Sequence, residues 1–152
     1  MVTQHAQCAR PNRRLCSTHC EWMQQAIAQM EYKRRHDKVT GAVHWSLCNK
    51  YNVQCSQQWY QHTAESVIHE ENVKILWDVN IQTDHVIEHR WSDIVVIDKE
   101  NNRALIIDIA VPGDTTVDYK EQEKVDKYQD LANEIKRLWK VEARYTRYTY
   151  LH

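Results

Sequence analysis

The sequence has no phenylalanine, only 2 glycines, and no apolar run near the roughly 18 to 20 residues that span a bilayer. Without phenylalanine, 6 Trp and 8 Tyr must supply the aromatic bulk. The polar N-terminus lacks the apolar stretch of a secretory signal, and there is no internal repeat and no low-complexity tract. These absences speak against a membrane-spanning, secreted or repetitive protein and lead us to expect a soluble intracellular one. Cysteine is present but not in the pattern of a disulfide framework. Cys8, Cys16, Cys20, Cys48 and Cys55 are odd in number and confined to the first third, which favours reduced thiols.

What is there suits one domain. A chain of 152 residues that is 42% hydrophobic can bury one core. The net charge of -1 hides a division along the chain. Residues 1–60 carry 8 Lys/Arg against 3 Asp/Glu, residues 61–114 carry 4 against 11, and residues 115–152 carry 8 against 7. A basic front and an acidic middle suit a protein that holds a polyanion with one region and a metal ion with another, although the same charges also suit a solvated surface.

Residues 1–28 show no clean periodicity and read as irregular or loosely helical. From Glu31 to about Tyr51, the spacing of Val39, Val43, Leu47 and Tyr51 predicts one apolar face of a helix, despite Gly41. "SVIHEENVKILWDVNI" reads as a short strand, a turn at "EEN" and a longer strand. "DIVVID" and "ALIIDIAV" are β-branched runs joined by the turn-forming "KENN", so they read as adjacent antiparallel strands. Thr115 and Asp118 make a capping-box start for a second helix, whose stripe of Val125, Tyr128, Ala132, Ile135 and Trp139 runs to about Lys140. "VEARYTRYTYLH" has the composition of a last strand.

Two aspartates conflict with this pattern. Side chains alternate across a strand, so Asp108 shares a face with Ile106 and Ala110, where its carboxylate loses water at a cost of several kcal/mol unless it is paired or bound to a cation. Asp93 starts the preceding strand, and a hairpin turning at "KENN" brings it near Asp108. Two converging carboxylates suit a hard cation such as magnesium and metal-assisted phosphodiester hydrolysis. The spacing equally allows Asp93 to cap a strand and Asp108 to pair with a lysine. Asp98 and Asp114 read as turn or cap residues, and Asp78 and Asp84 as flanks of the long strand. On the second helix, Lys120, Lys124 and Lys127 at i, i+4 and i+7 form a basic stripe. One of these lysines facing the carboxylates would position water and stabilise charge on a phosphate; the other reading is a solvated face paired with Glu121, Glu123 and Asp126.

An aspartate, 14 residues and a second aspartate on the next strand, in the order helix, three-strand meander, helix, possible last strand, resembles the restriction-like PD-(D/E)xK nucleases. More closely, "RRHDKV", "HWSLCNKY", "WYQHTAESV", "VKILWDVNIQTDHVIEHRWSDIVVID", "LIIDIAVPGD" and "KEQEKVDKYQDLANEIKRLWKV" resemble the endonuclease domain at the C-terminus of non-LTR retrotransposon reverse-transcriptase polyproteins. The likeness runs from Met30 to Val141. It implies an α/β restriction-endonuclease-like domain over 30–141, with a divergent N-terminal segment, 1–29, that is irregular or helical. A divergent tail follows over 142–152.

The resemblance implies a DNA nickase that uses Mg²⁺ or Mn²⁺, works on DNA without a membrane or a small-molecule cofactor, and resides in the nucleus. Carried over, Asp93 and Asp108 are the metal ligands, assisted by a backbone carbonyl near Ile109. Ser92 stands where the family has proline. Ala110 stands where the simple motif has lysine, so the catalytic lysine falls on the helix, at Lys124 or else Lys127. Arg34, Arg35, Lys38, Arg90 and Lys120 are the expected contacts to the DNA backbone, and Glu65 a possible helper at the metal. The family's upstream zinc knuckle is not reproduced by spacing. A zinc set of Cys20, His36, His44 and Cys48 can be drawn, since His44 and Cys48 are one helical turn apart. Both ends depart from the family's pattern, which leaves open a catalytically inactive nucleic-acid-binding remnant or a non-functional fragment of a decayed element.

Overall fold

The β-branched middle of the chain builds a sheet and the two periodic segments build helices on its faces. The computed structural model describes the backbone of residues 13–82, 91–110 and 119–149, and the side chains of residues 20–82, 91–110 and 128–149. Helix α1 (Arg13–Lys50) leads through a 3₁₀ turn (Trp59–Gln61) to strands β1 (Val67–His69), β2 (Val73–Asn80), β3 (Trp91–Asp98) and β4 (Arg103–Ala110), then helix α2 (Tyr119–Trp139) and strand β5 (Glu142–Thr149). The chain forms two compact units, Met1–Arg34 and Arg35–His152. Among the described residues of the first, α1 is the sole regular element, with Trp22, Met23, Ile27 and Met30 exposed.

In the second unit the sheet order is β1-β2-β3-β4-β5. The first four strands form antiparallel neighbours and β5 runs parallel to β4, from Arg103↔Glu142 to Ala110↔Thr149. A parallel neighbour needs a crossover of a dozen or more residues, which α2 supplies. The domain is thus mixed α/β, and its meander, crossover helix and last strand follow the order read from the sequence, with short β1 at the edge.

Alternation divides the apolar residues between two faces. Ile75, Ile94, Val96, Ile107 and Ile109 pack toward Val39, Val43, Leu47 and Tyr51 of α1. Val95, Ile97, Ala104 and Ile106 pack toward Tyr128, Leu131, Ala132 and Ile135 of α2. Each large side chain buried this way contributes on the order of 1.5–3 kcal/mol. In β2 the alternation breaks at Asp78, where φ is 46°. Trp77 packs with the α1 face, whereas Val79 packs with the α2 face. Left-handed backbone at a non-glycine residue is the mark of a local kink, and here it redirects the end of β2.

Helix α1 begins well before Glu31, where periodicity predicted its start. Residues 13–30 contain neither Gly nor Pro and hold several Gln, Arg, Met and Ala, which favour helix. Trp22, Met23, Ile27 and Met30 are exposed, so no core-facing stripe runs through them. The helix ends at Lys50 with Asn52 left-handed (φ 55°) and its N–H on Asn49 O, a frequent role for asparagine after a helix. Thr115, Asp118, Asp84 and Asp114 lie outside the described residues, as does the Val125 side chain. Among the described residues no helix is long and apolar enough to cross a membrane.

Candidate functional site

The β3–β4 ladder runs from Asp98↔Arg103 to Ile94↔Ile107 and stops there. The next residues along the two strands are Asp93 and Asp108. On the other side of β3, the ladder with β2 passes from Trp77↔Ile94 to Val79↔Ser92 and skips Asp78 opposite Asp93. The sequence therefore places a carboxylate where β3 loses regular pairing to both neighbours. Ser92, buried just before it, donates its hydroxyl to Ile94 O and Ile107 O, each at 3.3 Å, and so ties β3 to β4 beside the opening.

Asp93 is half-buried. Its Oδ2 accepts the backbone N–H of Ile109 at 2.6 Å, and His36 Nε2 of α1 approaches the same oxygen at 3.3 Å. The hydrogen bond with Asp93 raises the His36 pKa above its ordinary 6.5 against the opposing effect of burial, and Asp37, 3.5 Å from Nδ1, adds to it. Asp108 is buried at 6% exposure. Tyr128 of α2 donates to its Oδ1 at 3.0 Å and Tyr145 of β5 donates to its Oδ2 at 3.3 Å. The two phenol rings stack at 4.5 Å with an interplanar angle of 12°. Burial, then the charge of Asp108, pushes both phenols above their usual pKa, so they keep their protons and remain donors. Asp93 adds a smaller push to both. Arg147 is the register partner of Asp108 on β5. Asp93 and Asp108 thus stand just past the last β3–β4 pair, Asp93 against His36 of α1 and Asp108 against Tyr128 of α2, and carboxylates are the donor type that a hard divalent cation takes.

The remaining expected residues fall as follows. Arg35 and Lys38 are exposed on α1 and line an open, mainly apolar cleft of about 600 Å³ with Val43, Trp59 and Tyr148. Arg34 pairs with Glu31 at 2.9 Å. Glu65 is exposed on the loop before β1, and its charge bears on His62 and Cys48. Asp98 is the expected turn residue: its carboxylate accepts Asn101 N at 2.9 Å and Asn101 Nδ2 at 2.8 Å. Arg90 lies outside the described residues. Lys120, Lys124 and Lys127 belong to α2, but their side chains lie outside the described residues.

The expected zinc set is not brought together as drawn. Cys20 is exposed in the first unit, and His36, two turns before His44 and so about 12 Å along the axis, is against Asp93 instead. His44 and Cys48 do meet, and their third neighbour is His62, from the loop after α1; their donor atoms lie within 4.8 Å of one another, so this trio has the ligands to hold a metal ion. Burial lowers the His44 pKa to about 4 and raises that of the Cys48 thiol to about 11, with smaller contributions from His62 and Cys55 respectively. His62, Tyr128 and Tyr145 carried no functional signal in the sequence. Tyr128 was legible only as one residue of an apolar stripe.

Comparison with known proteins returns no match: no family model, no curated protein and no solved structure matches the chain.

Proposed function

We propose that the domain is a metal-dependent DNA endonuclease of the restriction-like kind, derived from a retrotransposon polyprotein, with Asp93 and Asp108 as its metal ligands. The observation that carries this reading is the position of the two aspartates, each the next residue along its strand after the last β3–β4 pair. A Mg²⁺ or Mn²⁺ ion held there would supply Lewis-acid stabilisation of a phosphate oxygen and a more acidic water. The chain's own residues do the positioning. Ile109 N–H and His36 orient Asp93, while Tyr128 and Tyr145 hold Asp108 in one rotamer. Lys124, or else Lys127, is the proposed lysine that orients water, by the resemblance of its motif. Arg35 and Lys38 are proposed contacts to the phosphate backbone, because Arg35 adjoins His36 and the two basic residues share a cleft with the exposed rings of Trp59 and Tyr148. Cation and aromatic faces together suit a nucleic-acid strand.

One observation favours a second reading, a non-catalytic nucleic-acid-binding remnant. Both oxygens of Asp108 and one of Asp93 already accept protein hydrogen bonds, so the pair is accommodated without a cation. Supercoiled plasmid separates the readings. The nuclease converts it to nicked circles with Mg²⁺ and ceases with EDTA, whereas the remnant binds DNA in a salt-dependent way and leaves it intact under both conditions.

A further inference from the structure

We propose that His44, Cys48 and His62 form a zinc site that staples the loop after α1 onto the helix. This site is separate from the carboxylate pair and does not depend on the nuclease reading.

Sixteen residues, 51–66, separate α1 from β1, and one 3₁₀ turn is their only regular structure. Connections this long without structure of their own are uncommon in compact domains and call for something that fixes them. Its two ends are tied down: Val53 is buried in the core, and at the far end Trp77 N–H bonds Ser66 O at 2.9 Å. Val53 N–H bonds Cys48 O at 2.8 Å and Trp45 Nε1 donates to Ser56 O at 2.8 Å, which secure its first part. Further along, the 3₁₀ turn ends at His62, whose N–H bonds Trp59 O, and this aims the ring back at α1.

At that point three ligand-type atoms converge. His44 Nδ1 lies 2.7 Å from His62 Nε2 and 3.6 Å from Cys48 Sγ, and the two imidazoles face each other at 5.0 Å between centroids. Cys48 follows His44 by four residues, so both stand on one face of α1. Around a tetrahedral zinc with Zn–N near 2.0–2.1 Å and Zn–S near 2.3 Å, neighbouring N and S donors stand about 3.5 Å apart and two nitrogens about 3.3 Å apart. The histidine–cysteine pair already has that separation. The histidine pair needs to open by only about 0.6 Å, within reach of a half-buried ring on a loop.

His44 is fully buried, edge-on to Trp77 at 5.3 Å, and presents its Nδ1 to both His62 and Cys48. One imidazole nitrogen has a single proton or lone pair and satisfies only one of these neighbours by hydrogen bonding, whereas a metal ion takes all three donors at once. One thiolate and two imidazoles form a borderline-soft set that selects zinc over the hard ions suited to the carboxylate pair. Among the described residues these three supply three of the four tetrahedral ligands.

The test uses the full chain without an affinity tag, purified from zinc-supplemented cells and dialysed against metal-free buffer. Elemental analysis is expected to find about one zinc per chain, and Co²⁺ exchange to give a thiolate-to-cobalt charge-transfer band. Cys20→Ser is expected to keep both signals. His62→Gln, which alters a half-buried loop residue rather than the helix, is expected to lose the zinc while retaining the parent's circular dichroism. EDTA is expected to lower the parent's unfolding midpoint and leave that of His62→Gln unmoved. A folded parent that binds neither ion, a cobalt spectrum without the charge-transfer band, or undiminished zinc in folded His62→Gln would overturn the proposal.

Discussion

Asp93 Oδ2 takes the backbone N–H of Ile109 at 2.6 Å, so a side chain of β3 replaces a rung of the β3–β4 ladder at the place where that ladder ends. The bond gives Asp93 a structural task alongside any chemical one. Asp93→Ala removes the acceptor from a buried main-chain donor and the partner of His36, and is expected to cost about 1.5–3 kcal/mol. Asp93→Asn keeps one carbonyl acceptor and is expected to cost less. Urea unfolding of both variants checks the order, and equal losses would contradict it.

Tyr128 and Tyr145 are expected to act as a unit. Either Tyr→Phe change keeps the stacked rings but leaves the buried Asp108 with one donor fewer, for a loss of about 1.5–3 kcal/mol. Since both hydroxyls serve one carboxylate, the double variant should depart from additivity by at least about 0.5 kcal/mol. A double-mutant cycle by chemical denaturation measures the departure. Strict additivity would mean that the two hydroxyls are independent.

The acid limb of stability should report on Asp98. Burial by itself would raise this carboxyl, but the Asn101 N–H and side-chain amide, followed by Arg103 and Tyr51, outweigh it and hold the pKa below the ordinary 3.8. A group depressed in the folded state contributes stability above its unfolded pKa and loses it as pH falls through the folded value. Stability should therefore fall below about pH 4 in the parent, and Asp98→Asn should be less stable at neutral pH with a shallower fall on acidification. Urea midpoints measured from neutral pH down to acid give both slopes.

Gly41 lies inside α1 without a conformational need for glycine. A Cβ built there meets Trp77 at 3.9 Å, an ordinary contact. Gly41→Ala is expected to stabilise by about 0.5–1 kcal/mol through helix propensity, read as a higher thermal midpoint. A lower midpoint would show that the α1 face near Trp77 tolerates no added methyl group.

These residues also show what could be read before the fold was known. The strands were legible because "DIVVID", "ALIIDIAV" and "VKILW" are β-branched runs bounded by turn residues, and the stripe Val39, Val43, Leu47 and Tyr51 marked the packed part of α1. The hairpin followed from "KENN", so the placing of Asp93 and Asp108 toward the same end of the β3–β4 ladder was readable too. The tyrosine clamp was not, because Tyr145 reaches Asp108 only after α2 crosses over and β5 joins in parallel, 37 residues later in the chain. His62 was equally hidden, since an irregular loop has no period from which to predict which of its residues turns back to the helix. The part of α1 before Glu31 escaped because Trp22, Met23, Ile27 and Met30 are exposed and make no stripe against a core.

The central claim, that Asp93 and Asp108 form a nuclease centre, is tested most directly by the initial rate of plasmid nicking with Mg²⁺, for the parent and for Asp108→Asn. This substitution keeps the size of the side chain but removes its charge, and circular dichroism and unfolding midpoints establish that both proteins are folded. A nuclease centre gives nicking by the parent, its abolition by EDTA, and a fall of at least about a hundredfold in the variant, the scale on which a positioned catalytic charge acts. A folded parent that leaves plasmid intact with Mg²⁺ and with Mn²⁺, or an Asp108→Asn protein that nicks at the parent's rate, would contradict it.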